Sequence, residues 1–214
     1  MAKKKYILSI SFCYHDSAIT FSDEKKILLH LELERVTRKK HDRFRNVKEV
    51  DDLVKVGLET LHIKIDDVKE VFITKWNNLY EGNEVKILGK EFHAILTSHH
   101  QNHIGTSFPA NFKKCVILCS DGGSEDGYTK LYYKEGRKIW LVANLDEEVF
   151  TGKFYGTIAQ MIIEPKGSLA HTSGVGKLMG LSSFGKENKE VMRLIKENIK
   201  ELNTLHFKDV NKLQ

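Results

Sequence analysis

The sequence lacks any apolar run long enough to cross a membrane. A bilayer-spanning helix needs roughly 18 or more consecutive apolar residues, and no segment of this chain approaches that length. The lysines near the amino terminus lead into a short strand-like segment and then into polar sequence, without the cleavage pattern of a signal peptide. We therefore expect a cytoplasmic protein that has no membrane partner.

Cysteine and proline are also scarce, with three and two residues respectively. Cys13, Cys115 and Cys119 form an odd set without CxxC spacing, which argues against a disulfide framework and a zinc knuckle. In an extended strand Cys115 and Cys119 would stand about 13 Å apart, beyond disulfide reach, so we expect buried thiols. The sequence contains no internal repeat, low-complexity stretch or proline-rich linker. Composition therefore marks no domain boundary.

The chain does have enough apolar residues to form a core. Of its 214 residues, 41% are hydrophobic and 29% are charged, which excludes a disordered chain and fits one domain or two small lobes. The formal net charge of +5 would suit a phosphate-bearing ligand, but the basic residues are spread along the sequence. Charge alone therefore assigns no partner.

Hydrophobic periodicity predicts an α/β protein. A three-strand meander is expected first, followed by an amphipathic helix and a short strand. A later strand is apolar throughout, as expected of a strand covered on both faces, and a second meander follows it. The predicted strands cover residues 6–11, 17–22, 26–31, 71–73, 115–119, 129–133 and 138–145, and the predicted helices cover 48–62, 154–163 and 187–202.

A histidine cluster occupies residues 98–103, in a segment predicted to stay helical until Pro109. On a helix His99 and His103 lie one turn apart, with Cβ atoms about 5–6 Å from each other, so their rings can share one cation. His100 would point about 100° away from that face. The alternative is a polar helix that carries three unrelated histidines.

An acidic residue, Asp121, follows the predicted buried strand and precedes two glycines. Open α/β sheets bind ligands at the carboxyl ends of their strands, and glycines such as Gly122 let a substrate or nucleotide approach the backbone. Asp121 can add an oxygen ligand to the histidine pair, and two imidazoles with one carboxylate suit Fe(II), Zn²⁺ or Mn²⁺. A polar hairpin loop is the alternative for this segment.

Two further polar clusters follow predicted strands. Tyr14-His15-Asp16-Ser17 lies in the turn after the first strand. A histidine beside a carboxylate is a candidate general base because histidine titrates near pH 6.5, although the same residues also make an ordinary surface turn. The basic run from Glu34 to Arg43 follows the third strand and could clamp a phosphate, contact nucleic acid or form a solvated loop.

The last cluster is a glycine-rich segment over residues 173–181. It matches neither a Walker A loop nor the GxGxxG pattern. We expect its glycines and Lys177 to form a flexible loop that opens a helix, where backbone N–H groups can hold a phosphate.

Taken in order, these clusters resemble a known family. The ordered motifs are Ile7-Leu8-Ser9-Ile10-Ser11 with Tyr14-His15-Asp16-Ser17-Ala18, then Glu34-Arg35-Val36-Thr37-Arg38-Lys39-Lys40-His41-Asp42, His99-His100-Gln101-Asn102-His103, Asp121-Gly122 and Gly176-Lys177-Leu178-Met179-Gly180-Leu181. Over residues 6–186 the chain resembles the amino-terminal domain of O-carbamoyltransferases of the nodulation and antibiotic-biosynthesis type.

The resemblance implies an actin/Hsp70-like ATPase (RNase H-like) fold, with a mixed sheet and flanking helices. This branch also contains the universal tRNA threonylcarbamoyl-adenosine enzyme. In the family that the chain resembles, carbamoyl phosphate and ATP yield carbamoyl-adenylate in a separate carboxy-terminal domain. The carbamoyl group then passes to a hydroxyl of a small molecule or sugar at a metal-bearing site. The resemblance favours Fe(II) as the metal, with Zn²⁺ or Mn²⁺ as alternatives.

The resemblance also implies roles for individual residues. His99, His103 and Asp121 become metal ligands. His15 and Asp16 become the catalytic pair, in which His15 positions or deprotonates the acceptor hydroxyl. The residues expected to contact phosphate or nucleotide are Arg38, Lys39, Gly122, Gly174, Gly176 and Lys177.

The chain departs from the family pattern at several positions. Val175 stands where an acidic residue is usual, Ser182-Ser183 replaces Ala-Pro, and Gly123-Ser124 replaces a less polar turn. The resemblance therefore does not identify the acceptor substrate. Residues 1–214 are expected to be a truncated amino-terminal carbamoyltransferase domain, with 187–214 as the helical start of a second lobe. We expect a fragment, a split subunit or a relic, whose missing lobe and adenylate-forming domain act in cis or in trans.

Two functions from other classes remain as alternatives. The first is a catalytically incomplete metal- and nucleotide-binding interaction subunit. The second is a basic nucleic-acid binder that uses residues 35–45. We do not favour nucleic acid as a partner, because Phe44 is the one aromatic residue among these cations, whereas single-strand binding uses interleaved aromatics.

Overall fold

The computed structural model describes residues 5–12, 15–74, 79–124, 127–145, 159 and 170–197. The chain divides into two compact units, Met1–Asn102 and His103–Gln214. Apart from Ala159, the predicted helix over 154–163 lies outside the described residues, as do residues 198–202 of the last predicted helix.

The first unit contains three strands, then two helices, then four strands, and the second unit contains an antiparallel meander. The strands are β1 (Tyr6–Ser11), β2 (Ala18–Ser22), β3 (Ile27–Glu32), β4 (Val68–Thr74), β5 (Glu84–Ile87), β6 (Lys90–His93), β7 (Ile95–Thr97), β8 (Lys114–Ser124), β9 (Gly127–Glu135) and β10 (Lys138–Asn144). The helices are α1 (Leu33–Thr37), α2 (Val47–Leu61), α3 (His99–Gly105), α4 (Ala170–Ser182) and α5 (Lys189–Glu197).

A five-stranded mixed sheet forms the first unit, in the order β3-β2-β1-β4-β7. Strands β1, β2 and β3 pair antiparallel, as the predicted meander requires, whereas β4 pairs parallel with both β1 and β7. A parallel pair needs a crossover connection, and helix α2 lies in the connection between β3 and β4. The predicted α/β class is confirmed, with a mixed sheet and a flanking helix.

Helix α2 begins and ends where the local sequence dictates. The Asn46 side chain accepts a hydrogen bond from the Glu49 N–H, which satisfies an otherwise unpaired donor of the first turn. His62 ends the helix in the left-handed conformation, and its N–H donates to the last carbonyls. The buried face of the helix consists of Val50, Leu53, Val54, Gly57 and Leu58, which pack with the inward side chains of the sheet into one core.

Helix α2 approaches the sheet most closely at Gly57. A Cβ atom at this position would lie 2.5 Å from Phe21 Cε2 and 3.2 Å from Ile19 Cδ1. Both neighbours are fully buried, so they have no free space into which to move. Glycine is therefore required here by packing, although it is a poor helix former.

The second unit begins with an antiparallel sheet in the order β10-β9-β8, which confirms the predicted second meander. Two expectations about strand β8 are wrong. The strand continues to Ser124, so Asp121 and Gly122 lie within it rather than in a loop after it. The side chains of Val116 and Leu118 are 64% and 57% exposed, so the strand is not covered on both faces. An apolar run of five residues cannot by itself distinguish one covered face from two.

Two predicted loops are partly or wholly helical. The basic cluster starting at Glu34 begins inside the short helix α1, and the loop starts after it, at Arg38. The predicted flexible glycine loop over 173–181 is wrong, because these residues lie inside helix α4. Their neighbours Leu178 and Met179 are good helix formers, and three glycines at most weaken a helix by about 1 kcal/mol each relative to alanine.

The two cysteines that the structure describes, Cys115 and Cys119, are not joined in a disulfide. Cys119 is buried as expected, whereas Cys115 is half-buried. None of the described helices is long and apolar enough to cross a bilayer.

We predict that Gly57→Ala lowers the free energy of unfolding by about 1–3 kcal/mol, because the added methyl group overpacks the interface with Phe21. This loss must exceed the gain of about 1 kcal/mol in helix propensity. Urea unfolding followed by circular dichroism measures the change. Val56→Ala, at a partly exposed position on the same helix, is the control and should change stability little. A Gly57→Ala variant more stable than the native chain would contradict the packing argument.

Candidate functional site

The first group of functional side chains lies at the carboxyl end of strand β1, in residues 15–17, which we call the HDS turn. The predicted position of this turn, between the first two strands, is confirmed. Asp16 has a φ of 57°, a left-handed conformation that aspartate tolerates better than most residues. This turn brings His15 Nδ1 to 2.6 Å from Asp16 Oδ2. The two side chains are 42% and 43% exposed, so solvent reaches the pair.

The carboxyl ends of strands β1 and β4 are held together next to this turn. The Phe12 N–H donates to Thr74 Oγ1 at 2.8 Å, and the Thr74 hydroxyl donates to the Phe12 carbonyl at 3.0 Å. Both strands run in the same direction, so their carboxyl ends share one edge of the sheet. This is the edge at which open α/β sheets bind ligands.

Residues 41–44, which we call the strap, are hydrogen-bonded to the HDS turn. The Ser17 N–H donates to the Asp42 carbonyl at 3.0 Å, and the Phe44 N–H donates to Ser17 Oγ at 3.1 Å. On the side-chain level, His41 Nδ1 lies 2.9 Å from Asp16 Oδ1. The strap therefore adds a second histidine to the His15–Asp16 pair.

Asp16 is held as a carboxylate between these two imidazoles. Burial opposes its ionisation, but the hydrogen bonds from His15 and His41 outweigh that effect and keep the pKa of Asp16 below its usual 3.8. The ligand-capable atoms of His15, Asp16 and His41 all lie within 4.8 Å of one another. Asp16 can therefore orient His15 as a base, and the three side chains together could also bind a cation.

The second group of side chains is positioned by helix α3. The helix begins at His99 because Ser98 and Gln101 form a capping box: the Gln101 N–H donates to Ser98 Oγ at 3.2 Å, and the Ser98 N–H donates to Gln101 Oε1 at 2.8 Å. His99 and His103 are therefore one turn apart on the same helical face. His100 lies on a different face and is fully buried.

Asp121 meets this helical face from strand β8. His103 Nε2 lies 3.6 Å from Asp121 Oδ2, which is longer than a normal N–H···O hydrogen bond. The regular β8–β9 pairing is interrupted between Ser120 and Ser124, an irregularity of the kind that re-aims side chains. Because helix α3 is continuous, His99 follows His103 into this group, and the ligand-capable atoms of His99, His103 and Asp121 all lie within 4.8 Å of one another.

These three residues fit a divalent cation. Two imidazoles and one carboxylate form a donor set that suits Zn²⁺, Fe(II) or Mn²⁺ and leaves coordination positions open. With metal–ligand bonds of about 2.0–2.1 Å, two ligands of one tetrahedral ion stand roughly 3.3 Å apart. The 3.6 Å between the His103 and Asp121 atoms is within a few tenths of an ångström of that separation.

Arg38 and Lys39, the predicted phosphate contacts, lie three and two residues before the first residue of the strap. Arg38 ends helix α1 in the left-handed conformation, with its N–H donating to the Glu34 carbonyl at 2.9 Å. Both cationic side chains are exposed. They are therefore available to an anionic ligand, and their assignment stays a prediction.

Gly174, Gly176 and Lys177 lie together in helix α4. Inside a helix the backbone N–H groups bond to carbonyls four residues earlier, so the glycines offer no backbone cradle for a phosphate in this conformation. The Lys177 side chain is exposed and is the cation that this segment can offer. Gly122 lies in strand β8, next to Asp121. The nucleotide roles of all four residues stay predictions.

His41 is the functional candidate that sequence reasoning missed. His41 lies within the basic motif and has no predicted role of its own, because it lies 25 residues from Asp16 in the chain. The available signal was the pair His41-Asp42, a second histidine–aspartate dipeptide that follows a strand, as His15-Asp16 does.

We predict that His99→Ala combined with His103→Ala abolishes stoichiometric metal binding, because one carboxylate alone holds a transition metal weakly. Elemental analysis after loading with Fe(II) or Zn²⁺ and removal of excess ion measures the metal content. His93→Ala removes an exposed histidine elsewhere and should leave metal content unchanged. Metal retained by the double variant would contradict this site and point to His15, Asp16 and His41 instead.

We also predict an acid-sensitive contribution of Asp42 to stability. Burial opposes ionisation of this side chain, but hydrogen bonds from Thr37 and Arg45 outweigh that effect and keep its pKa below 3.8. The stabilisation is therefore present above pH 3.8 and is lost as the pH falls through the lower pKa of the folded state. Asp42→Asn should cost about 1–3 kcal/mol at pH 7 and flatten the pH dependence below 4.

Urea unfolding at pH values between 2.5 and 7 measures this difference. The control is Glu59→Gln, which replaces an exposed carboxylate on helix α2 and should keep the native pH dependence. An Asp42→Asn curve parallel to the native curve over the acidic range would contradict the assignment.

Solved structures with some similarity to this chain come from Aquifex aeolicus. One is a Ppx/GppA phosphatase of the type II variant, with 12% identity and a TM-score of 0.40, covering 85% of this chain and 64% of that chain. Another structure of the Aquifex aeolicus PPX-GPPA enzyme has 12% identity and a TM-score of 0.39, covering 86% and 64%. TM-scores of this size assign neither fold nor function, so the assignment to the α/β class rests on the strand topology.

Two sequence relatives extend well beyond this chain. A protein of a Synechocystis species, described as uncharacterized, is 25% identical over 239 residues, covering 92% of this chain and 37% of that protein. One from Methanocaldococcus jannaschii, also described as uncharacterized, is 24% identical over 194 residues, covering 88% and 35%. The chain thus spans little more than a third of the length of the curated relatives it matches.

A family model matches the first part of the chain. Residues 6–88 match the model described as the carbamoyltransferase N-terminus. This range contains the HDS turn, helix α1 and the strap, and it ends before helix α3. Over residues 6–88, the chain is therefore similar in sequence to the amino-terminal domain of carbamoyltransferases.

Proposed function

We propose that this chain is the amino-terminal part of an O-carbamoyltransferase, which passes a carbamoyl group from carbamoyl-adenylate to a hydroxyl of a small molecule or sugar. The observation that carries the proposal is the His15–Asp16 pair, 2.6 Å apart, inside the range that matches the carbamoyltransferase family. A hydroxyl becomes a competent nucleophile when a positioned base removes its proton, and histidine beside a carboxylate is suited to that task.

The proposed reaction is an acyl-type transfer. The acceptor hydroxyl oxygen forms a bond to the carbamoyl carbon of carbamoyl-adenylate, and the bond between that carbon and the phosphate oxygen breaks. AMP leaves with the electron pair of the broken bond. The hydroxyl proton passes to the imidazole of His15, which Asp16 stabilises in its protonated form.

The metal-binding group would assist from helix α3 and strand β8. A divalent cation held by His99, His103 and Asp121 would supply electrostatic stabilisation for negative charge that develops on the carbamoyl oxygen. The spacing of the three donors supports this assignment, since the His103 and Asp121 atoms stand 3.6 Å apart. Fe(II) is the metal that we favour, with Zn²⁺ and Mn²⁺ as alternatives.

Basic side chains would bind the phosphate groups. Arg38 and Lys39 are exposed cations close to the strap in the sequence, which supports a role in holding the phosphate of the adenylate. Lys177 on helix α4 is the candidate for a second contact through its ammonium group. Gly122, Gly174 and Gly176 would act by leaving room beside the nucleotide rather than by forming a loop around it.

The remaining steps belong to protein outside this chain. Carbamoyl-adenylate would be made from carbamoyl phosphate and ATP by an adenylate-forming domain that acts in cis or in trans. The lengths of the two relatives support this division, because the chain covers 37% and 35% of them. We propose a cytoplasmic location, because ATP and carbamoyl phosphate would be the substrates.

The same observations support one alternative. A catalytically incomplete subunit that binds metal and nucleotide would also need His99, His103 and Asp121. The two functions differ in whether a carbamate is formed.

We predict transfer of radiolabel from [¹⁴C]carbamoyl phosphate to a hydroxyl compound, in the presence of ATP and Fe(II). The assay uses a panel of sugars and polyols and detects the labelled carbamate after chromatography. It is run with this chain alone and with the remainder of the Synechocystis relative added. His15→Asn should lower the transfer rate by about 10²–10⁴-fold, since it removes the general base. His62→Asn, at an exposed histidine that ends helix α2, is the control.

Two results would count against the enzyme. Metal binding without carbamate formation in either arm favours the binding subunit. Transfer that is undiminished in His15→Asn removes His15 from the reaction, even if the chain is a carbamoyltransferase.

A further inference from the structure

Asp16 connects two histidines that come from different parts of the chain. His15 Nδ1 lies 2.6 Å from Asp16 Oδ2, and His41 Nδ1 lies 2.9 Å from Asp16 Oδ1. Each carboxylate oxygen thus has an imidazole nitrogen of its own. The two rings stand at 83° to each other, with centroids 6.1 Å apart, so they do not stack.

The ionisation state of the Asp16 carboxyl group decides which partner is the donor in each of these two hydrogen bonds. Burial opposes ionisation of Asp16, but the contacts with His15 and His41 outweigh it and lower its pKa below 3.8, so it is ionised near neutral pH. An ionised carboxylate is an acceptor only. Both histidines must therefore donate through Nδ1–H, which in a neutral ring leaves the lone pair on Nε2.

His41 is itself fixed from the backbone. Its N–H donates to Glu34 Oε2 at 2.9 Å, and the next residue, Asp42, accepts a hydrogen bond from the Ser17 N–H. The φ of His41 is 58°, a conformation that costs roughly 1–2 kcal/mol for a residue with a side chain. These contacts hold the imidazole against Asp16 despite that cost.

Asp16 would be free to turn without this second contact. Its side chain is 43% exposed and sits on a turn residue with positive φ, so water could replace one histidine as a partner. A carboxylate bonded at both oxygens cannot rotate about its Cβ–Cγ bond without breaking a hydrogen bond. The contact from His41 therefore limits Asp16 to the orientation in which Oδ2 faces His15.

We propose that His41 is a positioning residue: it holds Asp16 so that Asp16 keeps the His15 proton on Nδ1 and the His15 lone pair on Nε2. This inference rests on the proposed function, in which His15 Nε2 takes the proton of the acceptor hydroxyl. His41 does not touch the reacting atoms in this scheme. It acts on the base through the carboxylate, across the contact between the HDS turn and the strap.

The test uses ¹⁵N-labelled chain and the long-range ¹H–¹⁵N NMR signals of the His15 ring, which report the tautomer. The His15 signals are assigned by their loss in His15→Asn. His41→Gly removes the imidazole and suits the positive φ, so the backbone is not strained. His41→Asn places an amide N–H donor near the position of Nδ1 and tolerates the same φ.

We expect the Nδ1–H form of His15 to dominate in the native chain, both tautomers to be populated in His41→Gly, and the native pattern to return in His41→Asn. His62→Gly, at another histidine of positive φ, is the matched control and should leave the His15 signals unchanged. In the transfer assay, His41→Gly should lower kcat roughly 10- to 100-fold with little change in KM.

A native His15 tautomer in His41→Gly would overturn the proposal, as would a failure of His41→Asn to restore what His41→Gly loses. The NMR result does not depend on turnover. If no carbamate is formed under any condition, the proposed function fails while the tautomer measurement still decides the role of His41.

Discussion

The contact between the HDS turn and the strap is the constraint on which the rest of the first unit depends. Ser17 is its centre, since its N–H donates to the Asp42 carbonyl and its hydroxyl oxygen accepts from the Phe44 N–H. On one side the contact brings His41 to Asp16. On the other it places Phe44 in the core, next to the start of helix α2. The same hydrogen bonds therefore join the packing of the core to the geometry of the histidine–aspartate cluster.

The two candidate groups are built by different means. At His15 and Asp16 the side chains are placed by loop backbone in uncommon conformations, and long-range hydrogen bonds are needed to keep them there. At His99 and His103 the placement is local. A capping box starts the helix, and the helical repeat places residues that are four positions apart on the same face. The first group depends on tertiary structure for its geometry, whereas the spacing of the second pair depends on one turn of helix.

This difference explains how much could be predicted from the sequence. Hydrophobic periodicity and helix capping are local properties, so the bounds of strand β1 and helix α2 were predicted within one or two residues. The position of His99 and His103 on one helical face was predicted for the same reason. The helical state of residues 173–181 was missed, because glycine spacing was given more weight than the helix formers between them. His41 was missed for a different reason: its partner is distant in the chain, and only the fold brings them together.

The capping box of helix α3 also restricts how this segment can change in length. Inserting one residue between His99 and His103 would turn the second ring by about 100° around the helix axis and separate the two donors. Insertions before Ser98 or after Gly105 leave their spacing intact. Insertions and deletions should therefore concentrate outside residues 99–103. An in-frame insertion between His99 and His103 would separate the two imidazole ligands although both histidines are still present.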